Sequence, residues 1–205
     1  MSKFIDACDN LKINEYNNRK IVISTNDDKP FRIQIPRMYM PFGVSGFTPE
    51  VGPVKWNLDF SMNGYDEENN YVKTFYDTLR QIEDKIIRAV AEQSDKIFDK
   101  VYSYNELKSM FNSNIKENQG HAPKFRVKVD TDIHDTLKAH VFDADKNHLK
   151  DEVSHGLYSR NSGKSIVELS SVYFLNKKFG ITWKLYQLMV FEPERLKGFQ
   201  FVVHE

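Results

Sequence analysis

The sequence predicts a mainly β fold with one long inserted helix, and three observations predict it. Apolar and polar residues alternate along several short runs, the two-residue period of a strand with one face in the core. Over about 69–98 the period changes to 3.6, and Val72, Phe75, Leu79, Ile82, Ile86 and Val90 form one stripe. Clusters of Gly, Pro, Asn and Asp separate these runs, as turn chemistry requires.

Taken in order, residues 1–18 form an N-terminal arm in which Phe4, Ile5, Cys8 and Leu11 stand at helical spacing for one or two turns. Ile21-Val22-Ile23, the turn Asn26-Asp27-Asp28, and Phe31, Ile33 and Ile35 alternating with Arg32 and Gln34 read as strand, turn, strand. From Pro36 to Pro53, prolines and glycines enforce a loop that is too apolar for a linker, with Met38, Tyr39, Met40, Phe42, Val44 and Phe47 inside it. The cleanest alternation follows, with Val54, Trp56, Leu58, Phe60 and Met62 on one face. Asn63-Gly64 turns the chain, and Asp66-Glu67-Glu68 suit the positive end of the long helix. A shorter helix is expected at 104–111 and a polar stretch at 112–120. Strands return at 124–129 and 137–142, joined by a turn over 130–135. A charged connection over 143–164 leads to a hairpin, 165–175 and 181–191, around the turn Asn176-Lys177-Lys178-Phe179-Gly180.

The chain has 205 residues, 40% of them apolar, which suits one domain whose core needs no staple. A single cysteine, Cys8, excludes a disulfide scaffold. No apolar run approaches the roughly 20 residues of a spanning helix, and the first ten residues do not resemble a signal peptide, so a soluble protein of a reducing, intracellular compartment without membrane partners is expected. With 29 basic and 29 acidic residues the formal net charge is zero, so function depends on where charges sit.

Several local patterns resemble chemical motifs and fail on inspection. Asn161-Ser162-Gly163-Lys164-Ser165 ends like a phosphate-binding loop, but Tyr158 occupies the position of the first glycine. Asp143-Ala144-Asp145-Lys146-Asn147 starts like a calcium loop, but His148 and Ser154 replace the glycine and the bidentate glutamate, leaving a hairpin turn. The six histidines show no zinc spacing with cysteine. Asp130, Asp132 and Asp135 could gather magnesium for nuclease chemistry, although such carboxylates are common in turns. No nucleophile elbow is present, so neither an enzyme nor a cofactor is expected.

Strand alternation assigns the basic residues to solvent faces: Arg32 with Gln34, Lys55 with Asn57, Lys124 with Arg126 and Lys128, Lys138 with His140 and Phe142, and Thr182 with Lys184 and Tyr186. Residues 19–40 hold five cations against two carboxylates, residues 160–191 five against one, and residues 65–118 eight against eleven. A neutral protein can therefore carry a basic sheet and an acidic helical side. Solubility and edge protection account for many such lysines, but exposed rings beside cations suit a single nucleic-acid strand. Trp56 and Trp183 share faces with large apolar residues and are expected in the core.

Met40-Pro41-Phe42-Gly43-Val44-Ser45, the strand Trp56-Asn57-Leu58-Asp59-Phe60, the long helix, and above all the run from Val172 through Asn176-Lys177-Lys178-Phe179-Gly180 to Lys184 resemble the single-stranded DNA-binding proteins of nucleocytoplasmic large DNA viruses. That family is similar to the single-stranded DNA-binding proteins of short-tailed coliphages. The resemblance spans most of residues 20–191 and implies an OB-fold-like five-stranded Greek-key barrel over 19–192. It also implies a non-catalytic protein that coats single strands in viral replication, recombination or repair, at viral replication sites in the host cytoplasm or nucleus. The partners expected are single-stranded DNA, a second copy in a homodimer, and viral replication proteins. Phage-type members end in an acidic tail, whereas this chain ends Gly198-Phe199-Gln200-Phe201-Val202-Val203-His204-Glu205. The segment 193–205 is therefore expected to pack on its own domain or on a partner subunit.

On this reading Arg32, Lys124, Arg126, Lys128, Lys138, Lys177, Lys178 and Lys184 neutralise phosphates, while Phe142, Phe179 and Tyr186 stack bases. The alternative is a viral structural or assembly protein that uses the same barrel for protein contacts, through the 36–53 loop and Phe199, Phe201 and Val202.

Overall fold

The computed structural model describes residues 2–193. The chain opens with β1 (Ser2–Lys3), a 3-10 turn (Phe4–Asp6) and the hairpin β2 (Leu11–Asn17) and β3 (Lys20–Thr25). The arm is thus largely strand, where helical turns were expected, because Leu11 and Ile13 pair with Thr25 and Ile23 instead of with their own turn. Next come β4 (Phe31–Gln34), β5 (Met38–Met40), β6 (Val44–Phe47) and β7 (Lys55–Ser61). Two of these lie inside the expected 36–53 loop: its prolines stand between the short strands, where no ladder donor is lost.

The helix expected over 69–98 is α1 (Tyr71–Ala91), then a break at Glu92-Gln93, then α2 (Ser94–Phe98). Asn70 caps α1, its side chain accepting from the Val72 N–H at 2.8 Å, and the Glu67 carboxylate holds the Asn70 amide at 2.9 Å. After α3 (Tyr104–Met110), which starts in a Ser103/Glu106 capping box, come β8 (Phe111–Asn112), β9 (Ile115–Asn118), β10 (His121–Val129), β11 (His140–Phe142) and β12 (His148–Leu149). The long strands β13 (Asn161–Leu175) and β14 (Lys178–Phe191) close the described chain. Their hairpin turns on two residues, Asn176 and Lys177, and not on the five expected.

Five of these strands form a closed ring. β5 pairs with β7, β7 with β10, β10 with β14, β14 with β13, and β13 returns to β5. Every pair is antiparallel except β10 with β14. In chain order the ring runs first, second, third, fifth, fourth, the connectivity of an OB-fold-like barrel. β4 continues β5 along β13 after a one-residue shift at Ile35-Pro36-Arg37, and β2 and β3 extend the sheet beyond the barrel.

The helix joins the second and third barrel strands and lays its apolar stripe on the barrel. Val72, Phe75, Leu79, Ile82, Ile86 and Val90 are all buried. Phe75 meets Phe125 edge-on at 5.4 Å, and Phe125 meets Trp183 at 5.9 Å, so the helix and the barrel interior share one core. At roughly 1.5–3 kcal/mol per fully buried apolar side chain, this stripe outweighs any intrinsic helix propensity. Trp56 lies at the rim, half-buried, with its ring 5.0 Å from His155. No helix among the described residues is long and apolar enough to cross a membrane.

Candidate nucleic-acid interface

One outward row crosses the barrel through paired residues: Ser45 and Asn57, Asn57 and Lys128, Lys128 and Lys184, Lys184 and Glu168, Glu168 and Arg32. The strand phase expected for these side chains is the phase observed, and the structure brings Arg32, Lys128 and Lys184 together. It also supplies them with anions. Asp130 binds Lys128 at 2.6 Å and Lys184 at 3.2 Å, and Glu168 binds Arg32 at 2.6 Å. Burial works to raise the Asp130 carboxyl, but the two ammoniums outweigh it and hold its pKa below the ordinary value. Arg126 forms a two-pronged pair with the buried Asp59, both bonds at 2.8 Å. The basic belt is therefore partly neutralised from within.

The rings expected to stack bases have three different fates. Phe179 is 0% exposed, so it is not available as a platform. It packs among Phe98, Phe111 and Phe174, because the two-residue turn puts it on the inner side of β14. Tyr186 is partly exposed, but the Arg32 guanidinium covers one ring face at 3.7 Å. Phe142 is half-buried, with its ring 5.3 Å from His148. Lys138, Lys177 and Lys178 are exposed, and the Lys138 N–H donates to the Asp130 carbonyl beside the central row.

Three more exposed rings are Tyr39, Phe42 and Phe47, none of which sequence reasoning assigned to the site. Tyr39 pairs with Ser61, and Ser61 with Lys124. The Lys124 ammonium sits 4.7 Å from the centre of the Phe42 ring, which is 53% exposed. At the other end of β7, Phe47, 63% exposed, pairs with Lys55. Lys55, Asn57 and Ser61 point outward from one strand, so rings and cations line a track of about 20 Å at ~3.3 Å per residue. The signal is present in the sequence as a loop too apolar for a linker, which the alternative reading assigns to protein contacts.

This loop is held rigidly. Gly43 has φ +60, and a Cβ on it would stand 2.2 Å from the Leu157 carbonyl and 2.5 Å from the Ser159 nitrogen. The Val44 N–H donates to the Leu157 carbonyl, the Gly156 N–H to the Val44 carbonyl, and the Arg160 N–H to the Met40 carbonyl, at 2.8, 2.8 and 2.9 Å. Segment 154–160 thus clamps the turn that presents Phe42.

The carboxylates weighed for metal chemistry do not converge. Asp130 is engaged by lysines, and Asp132 accepts the His134 and Thr136 N–H groups at 2.8 and 2.9 Å as a turn anchor. No cluster among the described residues could hold a metal ion. Asp143 likewise bonds Asn147 within a tight turn. The expected docking of 193–205, with Phe199, Phe201 and Val202, falls on 194–205 and so, beyond Pro193, lies outside the described residues.

The sequence profile of the Family of unknown function (DUF5871) matches residues 64–201. The chain belongs to that family. No curated protein matches it. Among solved structures, the fold resembles gp2.5, a single-stranded DNA-binding protein encoded by bacteriophage T7, with a TM-score of 0.50 and 12% identity over 82% of this chain and 90% of that one. The single-stranded DNA-binding protein from bacteriophage Enc34 aligns over 94% of this chain and 96% of its own, with a TM-score of 0.43 and 12% identity. The same Enc34 protein in complex with single-stranded DNA aligns with a TM-score of 0.44 and 12% identity over 92% and 98%. The gp2.5 likeness gives this member of the family the same barrel class that its strand pairing describes.

Proposed function

We propose that this chain is a non-catalytic single-stranded DNA-binding protein that coats single strands in viral replication, recombination or repair. The observation that carries the reading is the outward track along β7 and β10, where Tyr39 of β5, Phe42 of the following turn and Phe47 of β6 stand exposed beside Lys55, Lys124 and Lys128. In OB folds the second and third strands, the loop between the first two and the loop between the last two form the oligonucleotide-binding surface. Here those parts are β7, β10, the 41–54 loop and the β13–β14 turn at Asn176 and Lys177. Stacking a base on an exposed ring contributes ~1–3 kcal/mol, and it is indifferent to sequence because every base has a π-face. Lysines beside the rings offset the phosphate charge. The gp2.5 barrel, with its bacteriophage single-stranded DNA-binding role, supports the reading at the level of fold. Viral replication proteins as partners, a homodimer, and action at viral replication sites in the host cytoplasm or nucleus extend the same proposal.

The test is fluorescence anisotropy of a labelled unstructured oligonucleotide at several salt concentrations, with duplex competitor. The expected result is single-strand binding that duplex DNA does not displace and that weakens with salt at a log–log slope of about −0.7 per phosphate contact. No binding even at low salt would remove the DNA function from this face.

A further inference from the structure

Two hairpins of this molecule end side by side, and both carry the same irregularity. In the first, Asn17 pairs with Lys20; in the second, Leu175 pairs with Lys178, so each turn has two central residues. Asn18 and Arg19 have φ of 50° and 62°, Asn176 and Lys177 of 50° and 59°. This is the I′ geometry, in which the second central residue is favoured to be glycine because a Cβ is strained at positive φ. Arg19 and Lys177 occupy that position, so each hairpin holds a long cation where backbone sterics ask for none. Local strain of this kind clusters where function requires the residue.

The β3–β13 ladder, from Val22 and Ser171 to Lys20 and Tyr173, brings the two turns to one edge of the sheet. Arg19, Lys20, Lys177 and Lys178 are all exposed there, and none has an ion-pair partner among the described residues. The sheet face beside them is apolar: Leu175 is 65% exposed, and Tyr173 lies over Gly180, where a Cβ would stand 2.7 Å from its hydroxyl. Outward along β14 the same face continues through Thr182 to Lys184 in the central row.

Resting on the single-strand reading above, we infer that the β2–β3 turn joins the β13–β14 turn in a second contact station that lengthens the track beyond the barrel. Arg19 and Lys177 contact backbone phosphates, and Tyr173 offers a stacking surface between them. Like charges gathered at one edge repel until an anion joins them, and a nucleic-acid backbone supplies anions at the required repeat.

The double variant Arg19→Gly with Lys177→Gly separates this role from a structural one, because glycine fits both turns. Its Tm is expected to equal or exceed that of the parent, while its salt slope for a labelled single strand flattens by about 1.4, two contacts at about 0.7 each. Parental affinity and slope in the double variant would overturn the twin-turn station and leave the barrel face in place. A parent chain that binds no single strand would remove both.

Discussion

Asp130 decides how freely Lys128 and Lys184 can reach a phosphate. Its carboxylate holds both ammoniums, and they hold its pKa below the ordinary carboxylate value against the opposing pull of burial. Asp130→Asn is therefore expected to tighten single-strand binding and steepen its salt dependence, measured by the same anisotropy titration. The stability cost is about 0–1 kcal/mol at neutral pH, since the pair is only partly buried. The sign of the pH effect follows from the depressed folded pKa. The contribution of Asp130 is present above the unfolded carboxylate pKa and is lost as pH falls through the lower folded value. Acid unfolding curves of parent and variant should converge below that point.

At the scale of elements, the turn bearing Phe42 owes its shape to Gly43 and to segment 154–160. Gly43→Ala places a methyl against backbone atoms that cannot move aside cheaply, at a positive φ. A loss of about 3 kcal/mol or more is expected in urea unfolding, together with weaker single-strand binding as Phe42 shifts from Lys124. Legibility in the sequence followed the same division between regular and irregular parts. The alternations at 54–62 and 124–129 and the stripe of α1 were readable because one repeated period fixes which face is buried. Strand phase then placed Lys124, Arg126, Lys128 and Lys184 outward correctly. Phe179 depends on turn length: a five-residue turn leaves it in the turn with no strand face, whereas the two-residue turn puts it on β14 in phase with the buried Ile181 and Trp183. Tyr39, Phe42 and Phe47 escaped because short strands between prolines show no period, and their exposure is set by partners as distant as Leu157. Charge alone also misled, since the anions that pair with Arg32 and Arg126 lie on neighbouring strands.

At the scale of the whole molecule, helix and barrel share one core through Phe75, Phe125 and Trp183. Phe75→Ala should cost about 3–5 kcal/mol and lower a single unfolding transition, seen identically by helix-sensitive circular dichroism and by the fluorescence of Trp56 and Trp183 together. Two separated transitions would mean that the helix is an independent unit.

The barrel seam also has a consequence in time. β13 holds β4 and β5 on one side and β14 on the other, while β14 holds β10 and β11, so the ring cannot shut before the chain has been made as far as Lys184. At about 5–20 residues per second, β4 waits roughly 7–27 s on the ribosome for its neighbour β13. Throughout that interval Phe31 and Ile33 lack the strand that pairs with them through Leu169 and Val167. A nascent chain stalled before β13 should be a holdase client, and one released after β14 should not.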